Sequence, residues 1–172
     1  RASTGAISSI SLNEGQPQLH VIGQVEAVGI CGSGLIDAIY TGVQQGKISP
    51  DGVIKNVSAT LPLTDRVQLT QKDIREFQFA TGVELLLREQ KIDRREVEKV
   101  FIAGGFGNYI NLEHAVGIGL LEFDPQRIVK LSNSALIGAK MFLFEEDTAI
   151  NQLLPNTGHF SLESSPAFLD VF

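Results

Sequence analysis

A four-residue apolar run that ends in a glycine-rich turn constrains the fold of this chain more than any other feature. Val100–Ala103 contains only apolar side chains, as in a parallel strand that is covered on both faces, and the sequence Gly-Gly-Phe-Gly-Asn of Gly104–Asn108 follows at once. Glycines at this point allow positive φ and leave no Cβ to block a flat ligand. The carboxyl end of a strand in an open α/β sheet is a frequent ligand site. A tight turn from strand to helix that needs glycine for geometry alone is the alternative interpretation.

The first 46 residues predict a hairpin followed by a helix. Alternating apolar residues in Ala6–Leu12, a polar turn over Asn13–Gln18 and a short strand at His20–Ile22 indicate the hairpin. After the glycine-rich turn Gly29–Gly34, apolar residues recur along one face of a helix, with Ser33 as its expected N-cap and Gly46 at its end. The turn lacks the Gly-Lys-Ser/Thr of a phosphate-binding loop, so we interpret it as a packing turn.

The rest of the chain predicts alternating helices and strands. In chain order, the predicted elements are a loop with short extended pieces at 47–69, a helix Gln71–Gln90 capped by Thr70 and Asp73, a short helix capped by Asp93 and Glu96, the strand Val100–Ala103, a helical turn Asn111–Val116, a strand Ile128–Leu131, and a helix that opens at Ser132–Ser134 and runs to Phe144. Small residues in this last helix favour close packing against another backbone. The order of elements indicates an α/β layer with crossover connections.

Composition excludes several classes of function. A net charge of -6 argues against a nucleic-acid groove, and no apolar run is long enough to span a membrane. A single cysteine excludes a disulfide framework or a cysteine-ligated iron–sulfur cluster held by this chain alone, and we expect Cys31 to be a buried structural thiol. The three histidines have no metal-ligand spacing, so we assign no metal ligands. Arg at position 1 and the absence of a visible signal peptide predict a fragment of a longer, cytoplasmic protein.

Four segments together resemble one known family. They are Gly29–Asp37, Leu69–Glu76, Val100–Ile110 and Asn133–Ala139, and the opening Arg1-Ala2 fits as well. In combination they are similar to the C-terminal part of the reductive activators of corrinoid proteins, over nearly the whole chain.

The resemblance implies a fold, cofactors and partners. Proteins of this family have an N-terminal plant-type [2Fe-2S] ferredoxin domain and a C-terminal ATPase domain similar to actin, heat-shock chaperones and sugar kinases, with a ribonuclease H-like α/β fold. They use ATP with Mg to drive electron transfer from the cluster to a Co(II) corrinoid, which restores the Co(I) state needed by methyltransferases. Residues 1–172 would then form one C-terminal lobe, with a mixed sheet and crossover helices. The [2Fe-2S] cluster would lie outside this chain, and the partner would be the corrinoid protein of a methyltransferase system, with homodimer formation left open.

The resemblance also implies the residues of an ATP site. Residues expected against the ribose and purine are Gly104, Gly105, Phe106 and Gly107, with Asn108 nearby, Lys72 and Arg75 on the outer purine side, and Ser134 in the second connecting segment. At that segment Ser132 stands where the family pattern has glycine. The Asp-x-Gly-Thr and Asp-x-Gly-Gly phosphate loops of the superfamily do not occur, so we assign no catalytic residue and expect the chain alone not to hydrolyse ATP.

Two alternatives stay open. The chain could be the ATPase lobe of a dehydratase activator or a sugar kinase on the same fold. It could also be a non-catalytic docking or dimerisation module in which the glycine-rich segments are only turns.

Overall fold

The structure, a computed structural model, describes residues 2–76, 79–144, 151–152 and 154–161. Its strands and α-helices in chain order are β1 Ala6–Asn13, β2 Gln16–Val21, β3 Gly29–Ile30, α1 Gly32–Gln44, β4 Thr60–Pro62, β5 Gln68–Thr70, α2 Gln71–Glu76, α3 Phe79–Gln90, β6 Val100–Ala103, α4 Gly104–Tyr109, α5 Leu112–Gly117, β7 Ile128–Leu131 and α6 Ser134–Phe142. Short 3-10 turns lie at Arg94–Glu96, Pro125–Arg127 and Leu154–Asn156. Within the described ranges, no helix is long and apolar enough to cross a membrane.

The chain divides into two compact units. Unit 1 comprises Arg1–Ala80 and Tyr109–Pro125, and unit 2 comprises Thr81–Asn108 and Gln126–Phe172.

The predicted hairpin of unit 1 is present but has a shorter turn than expected. β1 pairs antiparallel with β2, and Asn13 lies opposite Gln16. Glu14 and Gly15 both have positive φ, of 50° and 78°, which closes the hairpin in two residues rather than over Asn13–Gln18. β1 also pairs in parallel with β3, so the sheet is mixed, as predicted.

A β-bulge explains which side chains of β1 face the core. The register with β2 shifts between Ile7 and Ser9, so one extra residue is inserted on β1. Ile7 and Ile10 are therefore both buried, at 0% and 2% exposure, although they are three residues apart. They pack in one cluster with residues of α1 and of the loop and hairpin that follow it, namely Ala38, Ile39, Ile48, Leu61 and Leu69.

The first turn of α1 lies directly against β1. A Cβ built on Gly34 would lie 2.3 Å from the carbonyl oxygen of Ile7, so only glycine fits there. The prediction that Ser33 caps α1 is wrong, because Cys31 is the N-cap and makes no side-chain cap bond. The hydroxyl of Ser33 instead donates to the carbonyl oxygen of Ser8 at 2.7 Å, tying helix to strand. Gly46, with φ 68°, follows the end of α1 as expected.

The loop 47–69 contains the β4–β5 hairpin, which leads into α2. At the start of α2 the Asp73 carboxylate accepts hydrogen bonds from the backbone N–H and the hydroxyl of Thr70, both at 2.7 Å, as the capping pattern predicted. The predicted helix Gln71–Gln90 is described as α2 and α3. The two residues between them lie outside the described part of the chain.

Unit 2 contains the parallel pair β6 and β7. The prediction of a strand buried on both faces is wrong for β6, whose residues alternate in exposure, with Phe101 56% exposed. Among the described strands, β6 pairs only with β7. Described residues partly cover one face of β6, and its other face is exposed. The second capping pattern is confirmed at Asp93 and Glu96, although it opens a 3-10 turn.

Candidate functional site

The two predicted ligand-binding turns of unit 2 meet at one edge of the β6–β7 sheet. The strands pair in parallel with Ala103 opposite Leu131, so their carboxyl ends lie side by side. The backbone N–H of Gly104 donates to the carbonyl oxygen of Ser132 at 3.2 Å, which joins the two turns directly. The structure therefore brings Gly104–Asn108 and Ser134, which are far apart in sequence, to the same place.

The glycine-rich segment predicted as a turn is helical. Gly104–Tyr109 forms α4, which begins at the first residue after β6. Gly104 makes this abrupt change of direction with φ 88°, in the region that favours glycine. The interpretation as a strand-to-helix turn therefore applies at Gly104, while the ligand site stays a prediction for this segment.

Each glycine of α4 has its own physical reason. A Cβ on Gly107 would lie 2.7 Å from Cγ2 of Ile102, so this position requires glycine for packing. A Cβ on Gly104 or on Gly105 would meet no described atom within 4 Å. Gly105 also lacks positive φ. Neither backbone geometry nor packing among the described residues therefore requires glycine at 105, and the space beside it is open to a ligand.

The helix α6 begins at the same edge. The side-chain oxygen of Asn133 accepts a hydrogen bond from the N–H of Leu136 at 3.3 Å, and Ser134 occupies the first helical position. The expected close packing of the small residues of α6 is not found among the described residues, because a Cβ on Gly138 would meet nothing within 4 Å. The start of α6 is thus accessible beside the glycines of α4.

The other residues of the predicted ATP site are Asn108, Phe106, Lys72 and Arg75. Asn108 is exposed on α4, whereas the side chain of Phe106 lies outside what the structure describes. Lys72 and Arg75 belong to unit 1, where both are exposed on α2. The buried side chain of Ile74, at 8% exposure, packs this helix into the core of unit 1 and so turns its two basic residues outward.

A second polar arrangement, in unit 1, was not predicted. The carboxylate of Asp37 on α1 accepts a hydrogen bond from the backbone N–H of Ile10 at 3.0 Å and faces Nδ1 of His114 on α5 at 2.6 Å. The rings of His114 and Tyr40 are stacked, with centroids 4.1 Å apart and an interplanar angle of 16°. The two partners are 77 residues apart, so no local motif connects them. The available signal was Asp37 itself, an acid between the apolar residues Ile36 and Ala38.

Other potentially reactive or charged side chains lie in structural environments. Cys31 is buried with Sγ 3.2 Å from the hydroxyl of Ser33, which confirms the expected buried thiol. Within the described ranges, no three His, Cys, Asp or Glu side chains are grouped so as to hold a metal ion. Hydrogen bonds from Arg88 and Arg94 lower the pKa of Glu84 in unit 2.

Comparison with known proteins identifies the family. The whole chain, residues 1–172, matches the family described as the C-terminal domain of RACo, the ASKHA domain. The chain belongs to this family. Its fold is therefore that of an ASKHA, or actin-like ATPase, domain, and the predicted mixed α/β architecture is confirmed.

Similar proteins agree with this assignment of a RACo C-terminal ASKHA domain. The chain is 31% identical over 206 residues to the corrinoid activation enzyme RamQ of Eubacterium limosum, a match that covers 100% of the chain and 35% of RamQ. It is 29% identical to a Co(II) methylated amine-specific corrinoid protein reductase of Methanosarcina barkeri, over 70% of the chain and 23% of that protein. A solved structure of a reductive activator for a corrinoid, iron–sulfur protein matches with a TM-score of 0.75 at 27% identity, over 99% of the chain and 32% of that structure.

The comparisons also show how much of such a protein the chain represents. It spans about a third of the length of RamQ and of the solved activator. The resemblance to reductive activators of corrinoid proteins, drawn from four short segments, is confirmed.

Proposed function

We propose that this ASKHA domain binds ATP at the carboxyl edge of β6 and β7, within a protein that reductively activates corrinoid proteins. One observation carries the ATP site: Gly105 stands at this edge with open space beside it and no backbone reason to be glycine. In an actin-like ATPase domain, an open glycine at the edge of the sheet leaves room for a flat adenosine group to lie against the backbone.

The residues of the cradle divide by role. Gly104 and Gly105 would contact the ribose and purine, together with Phe106 and the neighbouring Asn108. Gly107 would act indirectly, because its missing side chain lets α4 pack on Ile102. Ser134 would face the nucleotide from the start of α6, where backbone N–H groups favour polar or negative groups. Lys72 and Arg75, which the resemblance assigns to the outer side of the purine, lie on α2 in unit 1, and their role stays a prediction.

The corrinoid part of the proposal rests on the relatives, which are named as corrinoid activation enzymes or corrinoid protein reductases. ATP with Mg would supply the driving force for electron transfer to a Co(II) corrinoid held by a protein of a methyltransferase system. The electron would come from a [2Fe-2S] cluster in another part of the protein, since this chain has a single cysteine. The 172 residues would contribute the adenosine side of the nucleotide cleft.

The substitution Gly105→Ala tests the ATP site. The added methyl group meets no described protein atom, and alanine favours a helix over glycine, so the folded state should be as stable as before or more so. In the full-length protein we expect ATP binding, measured by calorimetry, to weaken about tenfold, because overpacking a close contact costs about 1–3 kcal/mol.

Gly29→Ala is the matched control. Gly29 also has open space for a Cβ and lacks positive φ, but it lies on β3 in unit 1. ATP affinity should not change in this variant. Unchanged affinity in Gly105→Ala would contradict the proposed site, and absence of nucleotide binding by the unsubstituted protein would favour a docking module.

A further inference from the structure

A cleft in unit 1 contains the imidazole of His114, which the sequence did not predict as a site residue. It has a volume of about 550 Å³ and is lined by residues of β1 and α1 and of the segment that leads into α5. Its lining includes the charged and aromatic side chains of Asp37, Tyr40, Tyr109, Glu113 and His114. None of them belongs to the proposed ATP site, so the two proposals are tested independently.

Two contacts fix the orientation of the His114 ring. Stacking on Tyr40 fixes the plane of the His114 ring. The 2.6 Å contact between Asp37 and Nδ1 fixes how the ring is turned within that plane. An ionised carboxylate only accepts hydrogen bonds, so Nδ1 carries a proton. In the neutral ring Nε2 then holds a lone pair, and no described residue donates to it. A neutral His114 thus presents an acceptor that no described residue uses, on a side chain that is 15% exposed.

The charge of the lining selects the kind of ligand. Asp37 and Glu113 contribute two carboxylates, and no Lys or Arg among the described residues lines the cleft. The sum of these charges is negative whether the imidazole is neutral or protonated, so phosphate and carboxylate ligands are repelled. Tyr109, which is 74% exposed, adds an aromatic ring of the type that attracts cations.

We propose that this cleft binds a primary ammonium group. One N–H of the ammonium donates to Nε2 of His114, and the carboxylate of Glu113 balances its charge. The group is carried by a lysine side chain of a protein partner or by a small free amine, since both present the same chemistry to the cleft.

The test follows His114 by NMR in full-length protein with ¹³C-labelled histidine. The His114 signal is assigned by its loss in His114→Gln. n-Butylammonium chloride is the probe, and n-butanol, which has the same carbon chain without the charge, is the control. We expect the ammonium to shift the His114 signal in a saturable manner and the alcohol to leave it in place.

Two variants locate the binding charge. Glu113→Gln should weaken the affinity for butylammonium about fivefold, which corresponds to about 1 kcal/mol. Asp65→Asn removes an exposed acid of the β4–β5 turn that does not line the cleft, so it should leave the affinity unchanged. Both positions are exposed, so neither variant should affect folding.

A lysine with blocked backbone ends separates the two sources of the ammonium group. Binding as tight as that of butylammonium supports a protein side chain, and weaker binding supports a free amine. The proposal is overturned if butylammonium gives no saturable shift, if butanol gives the same shift, or if Glu113→Gln binds as tightly as the unsubstituted protein.

Discussion

Single glycines in α4 separate a packing requirement from the proposed ligand site. The substitution Gly107→Ala would place a methyl group 2.7 Å from Cγ2 and 3.2 Å from the carbonyl oxygen of Ile102. The backbone oxygen cannot move aside as a side chain can. We therefore expect a loss of about 1–3 kcal/mol in the free energy of unfolding, measured by urea denaturation.

Gly105→Ala serves as the control for this stability measurement, since it lies in the same helix with open space around it. Equal unfolding free energies for the two variants would mean that Ile102 does not restrict position 107.

The contact between Asp37 and His114 leaves no pattern in the sequence. Neither Asp37 nor His114 stands at a spacing from other polar residues that fits a metal-binding or catalytic motif. Their contact exists because α1 and α5 are packed together in unit 1, with Ala115 of α5 fully buried. A pair that forms only through packing between distant segments leaves no local pattern to detect.

Helix caps at the element scale were predicted well. The pairs Thr70–Asp73 and Asp93–Glu96 form the expected hydrogen bonds, because capping joins groups only three residues apart. The predicted cap at Ser33 failed because α1 already begins at Gly32, and the Ser33 hydroxyl donates to the carbonyl oxygen of Ser8 on β1. Local rules held where no other element competed for the side chain.

The cap at Asp93 gives a prediction about pKa. The Arg95 guanidinium donates to Asp93 at 3.0 and 2.7 Å, and with the backbone N–H of Arg95 it holds the pKa of Asp93 far below its ordinary value of 3.8. In Arg95→Gln we expect this pKa to rise toward 3.8 but to stay below it, because the backbone hydrogen bond remains. An NMR titration of the Asp93 carboxyl carbon measures the change.

The sign of the linked stability follows from the lowered pKa. The ionised cap favours the folded state above the unfolded-state pKa, and this contribution is lost as the pH falls through the lowered folded-state pKa. Arg66→Gln, which removes the exposed ion pair with Glu26 in unit 1, is the control and should leave the pKa of Asp93 unchanged. A pKa of Asp93 that does not respond to Arg95→Gln would exclude the guanidinium as its cause.

At the scale of the whole molecule, the motifs that are absent from the sequence predict its limits. Phosphoryl transfer depends on positioning the phosphates and Mg²⁺ by dedicated loops, and the Asp-x-Gly loops of the superfamily do not occur in these 172 residues. We therefore expect the chain alone to show no Mg-dependent ATP hydrolysis. A phosphate-release assay on the chain alone, with the full-length protein measured in parallel, checks this. ATP turnover by the chain alone would contradict the prediction.

The sequence by itself determined the family, the α/β class, the strands Val100–Ala103 and Ile128–Leu131, and the starts of α2 and α6. These properties depend on local composition, short-range periodicity and capping, all of which are written along the chain. Only the tertiary structure decided that α4 begins at Gly104, that Gly107 is packed against Ile102 whereas Gly105 is open, and that Asp37 contacts His114. Each of these depends on which atoms of distant segments occupy the space beside a residue, and packing alone sets that.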